Sequence, residues 1–180
     1  MLTIKIPAME QWDELTETFV STKEQTLQLE HSLVSISKWE AKWCKPFLDN
    51  LVEKTVEEEI DYIKCMTLTQ NVDPNVYRNL SNDNLNEIHK YIESPMSATI
   101  IPKQNKGGIR EIITSEIIYY WMISLNIPFE CQKWHINRLI KLIEVCNIKN
   151  QSPKKMSKRD IMSRNAAINA ARRNKLNSKG

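Results

Sequence analysis

The chain has 180 residues, 41% of them hydrophobic, and a mean hydropathy of −0.47. That fits one globular domain with at most an appendage, and no apolar run approaches the roughly 20 residues that span a bilayer. The net charge of +3 hides an asymmetry: Pro153–Gly180 holds five lysines, four arginines and one aspartate, or +8, which leaves 3 − 8 = −5 for the rest. Met1–Ile6 lacks a basic stretch followed by an apolar one, so no signal peptide is expected. Cys44, Cys65, Cys131 and Cys146 are far apart in sequence and are expected to be reduced, small apolar residues of a cytosolic protein.

Leu2, Ile4 and Ile6 alternate with Thr3 and Lys5, the pattern of a half-buried strand that stops at Pro7. Trp12, Leu15, Phe19 and Val20 have loosely helical spacing and predict a helix over Met9–Val20, which Thr16, Thr18 and Ser21 weaken. Leu27 and Leu29 alternate again within Thr26–Glu30 and predict a strand paired with the first. Ser32 is placed to cap a helix over Leu33–Trp43, with Leu33, Ile36, Trp39, Ala41 and Trp43 on its face and Pro46 beyond its end. Thr55 caps the next helix, and Glu57, Glu58 and Glu59 fill its first turn, where the positive end of the macrodipole favours carboxylates. Its apolar face is Val56, Ile60 and Ile63, with Met66 as a candidate fourth member. Asp73-Pro74 opens a short helical turn. Ser81 with Asn84, and Asn82 or Asp83 as cap, starts a helix faced by Leu85, Ile88 and Ile92 that ends near Ser94-Pro95. The apolar runs Ala98–Ile101 and Ile109–Ile113, around a Pro/Gly-containing centre, predict a β-hairpin near 98–113.

Residues 115–147 read as the organising stretch. Ile117, Ile118, Tyr119, Tyr120, Trp121, Met122, Ile123 and Leu125 make a helix that is apolar nearly all round, and so predicted to be central and buried, with Thr114 or Ser115 as its cap. Pro128 breaks it. A second, amphipathic helix then carries Phe129, Ile136, Leu139, Ile140 and Ile143 on one face, which predicts an αα-hairpin. After the linker Gln151–Pro153, Ser157 and Asp160 resemble a capping box for a basic helix over about 158–176. That helix offers only Ile161 and Ile168 as an apolar stripe and is expected to project. The fold class is therefore mainly α (α+β): a helical domain over 1–150 around a central αα-hairpin, a small two-stranded N-terminal β element, the hairpin near 98–113, and a basic C-terminal helix or tail over 151–180.

The residues that could carry a reaction do not form a constellation. Asn105-Lys106-Gly107-Gly108 is not a phosphate loop, which needs Gly-x4-Gly-Lys-Ser/Thr. Cys131 and His135 are four apart, as two metal ligands would be, but no second pair completes a tetrahedral site; a buried thiol beside a hydrogen-bonded histidine is the better account. His31 and His89 are isolated in sequence. Glu57–Glu59 diverge by roughly 100° per residue and do not converge as an acid–base pair would. A non-enzymatic protein without cofactor or metal is expected. Two features remain as binding candidates: the tryptophans Trp39, Trp43, Trp121 and Trp134, which are core residues or interface anchors, and the basic set Lys154, Lys155, Lys158, Arg159, Arg164, Arg172 and Arg173. The tail is either a solvated helix or a ligand for an acidic protein surface, including another copy's acidic body. With no aromatic residue after Trp134 it has no base-stacking platform, so nucleic acid is the least favoured partner.

Ile118-Tyr119-Tyr120-Trp121, then Leu125-Asn126-Ile127-Pro128-Phe129, then Trp134 with Leu139 and Leu142, then Lys158-Arg159-Asp160-Ile161-Met162-Ser163-Arg164 resemble the tail assembly chaperone family of tailed bacteriophages. The opening strand and Leu27–Leu33 also look like members from phages and prophages of Gram-positive bacteria. This chain departs from other branches in its Asn126-Ile127-Pro128 turn, where they carry Gly-Ile-Asp, and in His135-Ile136-Asn137 after the tryptophan, where they often have Phe. The resemblance implies a non-enzymatic assembly factor of the host cytoplasm. Such a factor coats the tape-measure protein, keeps it soluble, helps the tail tube form around it, and is absent from the mature virion. Its implied partners are the tape-measure protein, the tail tube protein and other copies of itself. A small nucleic-acid-binding regulator using the basic tail, and a virion connector or tail-completion component, are the alternatives.

Overall fold

The computed structural model describes residues 1–13, 17–49, 51–101, 112–150 and 157–176. The chain divides into two compact units, Met1–Asn147 and Ile148–Gly180. The first is mainly helical with a small N-terminal sheet. Strand β1 (Leu2–Ile6) pairs antiparallel with β4 (Gln25–Leu29), in the register Leu2↔Leu29 to Ile6↔Gln25. Because the side-chain period is two, Ile4, Ile6, Leu27 and Leu29 all point into the core while Thr3, Lys5 and Gln28 face out.

The helix expected over Met9–Val20 is instead a second two-stranded ribbon, β2 (Met9–Asp13) with β3 (Thr18–Thr22). Trp12 pairs with Phe19 across it. A seven-residue spacing that reads as two helical turns also fits two strand residues facing each other across a reversal, and Thr18, Val20 and Thr22 favour the extended form. The reversal itself, 14–16, lies outside the described residues.

Helix α1 (Leu33–Trp43) starts with a capping box between Ser32 and Ser35. It is the hub of the unit: α2 (Val56–Met66) and α4 (Ser115–Ser124) both pack on it, as does the 3-10 turn Phe129–Lys133. Leu33, Ile36 and Trp39 are its buried stripe. The N–H of Cys44 closes the helix on the Glu40 carbonyl with Cys44 in the left-handed region, at φ 53°. Thr55 and Glu58 form a capping box for α2. The 3-10 turn Pro74–Asn79 follows, then α3 (Asn82–Glu93), whose cap is Ser81, boxed with Asn84; Asn82 and Asp83, expected as caps, lie in its first turn.

Helix α4 corrects one expectation. It is not buried all round: Ile118 and Met122 face the core, while Tyr120 and Ile123 are 66% and 61% exposed. Neither Thr114 nor Ser115 caps it through a side chain. The buried Glu40 of α1 does so across the core, accepting the Ser115 N–H at 2.7 Å on one carboxylate oxygen and the Phe47 N–H at 2.8 Å on the other. Asn126, at φ 52°, turns the chain after α4. Helix α5 (Ile136–Asn150) buries Ile136, Leu139 and Ile143, as expected, but Phe129 is exposed on the preceding 3-10 turn. Most of the β-hairpin expected near 98–113 lies outside the described residues; its described ends, 98–101 and 112–113, belong to no strand.

In the second unit, α6 (Lys158–Leu176) is a helix whose every residue is exposed. No described helix of the chain is long and apolar enough to cross a membrane.

Candidate binding groove

The apolar stripes of α2 and α3 face each other without closing. Val56, Ile60 and Ile63 on α2 and Leu85, Ile88 and Ile92 on α3 line a mostly apolar groove of about 520 Å³. Phe47, Leu48, Tyr77 and Leu80 complete its sides, and His31, Tyr62 and Asn137 also line it. Val56 to Ile63 and Leu85 to Ile92 are each seven residues, so each wall offers about 10.5 Å of apolar length. Charged groups are few in the lining: Glu59 and Glu93, against Lys54 and Arg78. The Lys54 ammonium sits over the Phe47 ring, 4.7 Å from its centroid.

The walls are held firmly from behind. The Trp39 indole N–H donates to the Glu58 carbonyl at 2.8 Å, and that of Trp43 donates to the Asp61 carboxylate at 3.0 Å. Lys42 donates to the same carboxylate at 2.6 Å, and Lys45 pairs with the buried Glu58 carboxylate. The Lys45 hydrogen bond and the Thr55 N–H hold the Glu58 carboxyl below its usual range. For Asp61, burial pushes the other way, but the hydrogen bonds from Lys42 and Trp43 win and its carboxyl is also lowered. The α2 wall is therefore tied to α1 by two indoles and the Lys42 ion pair, and to the segment after α1 by Lys45.

Beside the groove two histidines meet. His31 and His135 have ring centroids 5.0 Å apart, and both are buried. His31 Nδ1 pairs with the Tyr62 hydroxyl of α2. His135 Nε2–H donates to the Tyr91 carbonyl of α3 at 3.0 Å, and its Nδ1 accepts the Asn137 N–H at 3.3 Å, which fixes a neutral tautomer. The Ile136 N–H donates to the His31 carbonyl at 2.8 Å. Asn137 Nδ2–H2 closes the end of α3 by donating to the carbonyls of Ile92 and Ser94 at 3.0 and 2.8 Å. Burial, then the neighbouring His135, lowers the His31 pKa to about 3. Burial also lowers His135, against the bond to the Tyr91 carbonyl. The Tyr62 hydroxyl is pushed far up by burial. This cluster joins the groove walls to the rest of the unit. His31, His135 and Tyr62 are each hydrogen-bonded within the cluster, which suits a structural tie.

The predicted binding residues fall elsewhere. Trp39 is fully buried and Trp43 half-buried, both turned to the back of α2. Trp121 is half-buried on α4. Trp134 is half-buried with the Arg138 guanidinium 4.1 Å from its ring centroid. Among the described residues no ring contact joins Trp121 to Trp134, and none of the four lines the groove. Lys158, Arg159, Arg164, Arg172 and Arg173 are all exposed on α6, and Lys154 and Lys155 lie outside the described residues. Cys131 and His135 are both buried, and no group of three or more potential metal ligands occurs among the described residues. The groove's two stripes were visible in sequence as separate helix faces. What was missing was any signal that they oppose each other over a gap.

Comparison with models of protein families, with curated proteins and with solved structures finds no match to this chain.

Proposed function

We propose that this protein is a tail assembly chaperone of a tailed bacteriophage, a non-enzymatic protein of the host cytoplasm that holds apolar helical segments of the tape-measure protein while the tail tube forms. The observation that carries the reading is the open groove between α2 and α3. It presents two helical walls with apolar residues at three- and four-residue spacing, the surface that receives an amphipathic helix through anchors at i, i+3, i+4 and i+7. A tape-measure protein exposes long apolar helical stripes that aggregate unless covered. The sequence resemblance at 115–164 supports the choice of family, and the groove supports a helical cargo.

The test is co-expression. Tape-measure protein from the same phage or prophage is expected to stay soluble with the wild-type chaperone and to be found mainly in the pellet with Ile60→Glu/Leu85→Glu. A tape measure left wholly insoluble by the wild-type protein contradicts the reading. The basic α6 favours a second reading, a nucleic-acid-binding regulator. That reading requires gel-shift binding at low salt that falls steeply with ionic strength and is lost on removing 153–180.

A further inference from the structure

Helix α6 is anomalous among the helices. It has 19 residues, none buried, and an isolated helix of that length is marginal in water without packing. Its two exposed isoleucines, Ile161 and Ile168, are seven residues apart. This matches the spacing of Val56 to Ile63 and of Leu85 to Ile92 on the groove walls, about 10.5 Å in each case. Arg164 and Arg172 flank the isoleucine stripe on its two sides, within roughly 60° of it around the helix.

The charges are complementary. The two wall helices carry seven carboxylates and two lysines, or −5, while α6 carries six cations and one carboxylate, or +5. Glu58 and Asp61 are already paired with Lys45 and Lys42. Glu57, Glu59, Asp83, Glu87 and Glu93 have no ion pair among the described residues, and of these Glu59 and Glu93 line the groove. Lys54 and Arg78 balance Glu59 and Glu93 in the lining itself, so the acidic excess lies on the flanks of the wall helices, at Glu57, Asp83 and Glu87.

We propose that, when no cargo is present, the groove of one copy holds α6 of a second copy, with Ile161 and Ile168 in the apolar floor and arginines against Glu59 and Glu93. The inference rests on the groove being a receptor for helices, as set out above. The contact is heterologous, since groove and α6 are different surfaces. It therefore propagates into open chains of copies or closes into a ring. Cargo has to displace α6, so the same contact both shields the groove and lines copies up where cargo arrives. The ionic part weakens as salt is added.

Sedimentation velocity of the full chain tests this. The wild-type protein is expected to sediment faster as its concentration rises, less so at high salt. A groove variant, Ile60→Glu/Leu85→Glu, and a tail variant, Ile161→Glu/Ile168→Glu, should each associate at least tenfold more weakly. An equimolar mixture of the two should recover a heterodimer, because each supplies the surface the other lacks. Arg172→Glu/Arg173→Glu, on residues exposed in α6, serves as a second tail variant. Wild-type protein that stays monomeric across the range, association that survives both tail variants, or a mixture that fails to pair overturns the proposal. The two readings separate cleanly. The tail variant keeps an intact groove and must still hold tape-measure protein soluble; its failure there strikes the cargo reading and not this one.

Discussion

His31 and His135 pack ring against ring with centroids 5.0 Å apart, although 104 residues separate them, and both are held neutral. Burial is the main cause for each, and it takes His31 down to about 3. In the unfolded chain both return to about 6.5. Between pH 6.5 and about 3 the unfolded state therefore binds the extra proton, so the stability conferred by neutral His31 is full above about 6.5 and drains away as pH falls toward 3. The slope is about 1.4 kcal/mol per pH unit, or about 2 kcal/mol from pH 6.5 to 5. The stability gap between wild type and His31→Gln, from urea unfolding, should shrink by about that amount between pH 7 and pH 5. Parallel pH profiles for the two proteins would contradict it. Nothing in the sequence brings these residues together. His31 follows a strand and His135 precedes a helix, and the Ser32↔His135 bridge that joins the two segments is a tertiary event.

Among the elements, the local signals were the readable ones. Ser32, Thr55 and Ser81 each begin a helix with a capping box, and the strand alternation at Leu2–Ile6 and Leu27–Leu29 gave the observed pairing. Such features depend on residues three or four apart, or on period two, and so can be read without knowing the fold. The signals that failed depend on distant partners. Ser115 is capped by Glu40, 75 residues away, and Ser115–Ser124 is covered on one stripe only, because α1 packs on a single side of it. Tyr119 on the flank of α4 instead donates its hydroxyl to Gln132 at 2.9 Å, tying the helix to the following 3-10 turn. Helix α6 was legible as basic and poor in apolar residues, and it buries none. Removing 153–180 should therefore shift the melting midpoint of the remaining protein by less than about 2 °C, a change below ~1 kcal/mol for a domain of this size. At a concentration low enough for the protein to be monomeric, a drop beyond about 5 °C in a thermal melt would show that the helix contributes to the folded body.

For the whole molecule, the proposed function rests on the arrangement of α2 and α3. Each helix turns an apolar stripe toward the other and leaves a gap of about 520 Å³, which the described residues do not fill. Two indoles and an ion pair from α1, with a second ion pair from Lys45 just after it, hold α2 in place, so that wall needs little ordering on binding. Most of the residues around it are apolar, which suits holding a helix. The acidic wall helices and the basic α6 extend the same logic from one copy to the next. Isothermal titration of tape-measure peptides into the purified protein tests the groove most directly. At least one amphipathic peptide should bind with a negative heat-capacity change, and at least tenfold more weakly to Ile60→Glu/Leu85→Glu that melts as the wild type does. Equal affinity for the wild-type and groove-variant proteins would place the cargo elsewhere and contradict the account.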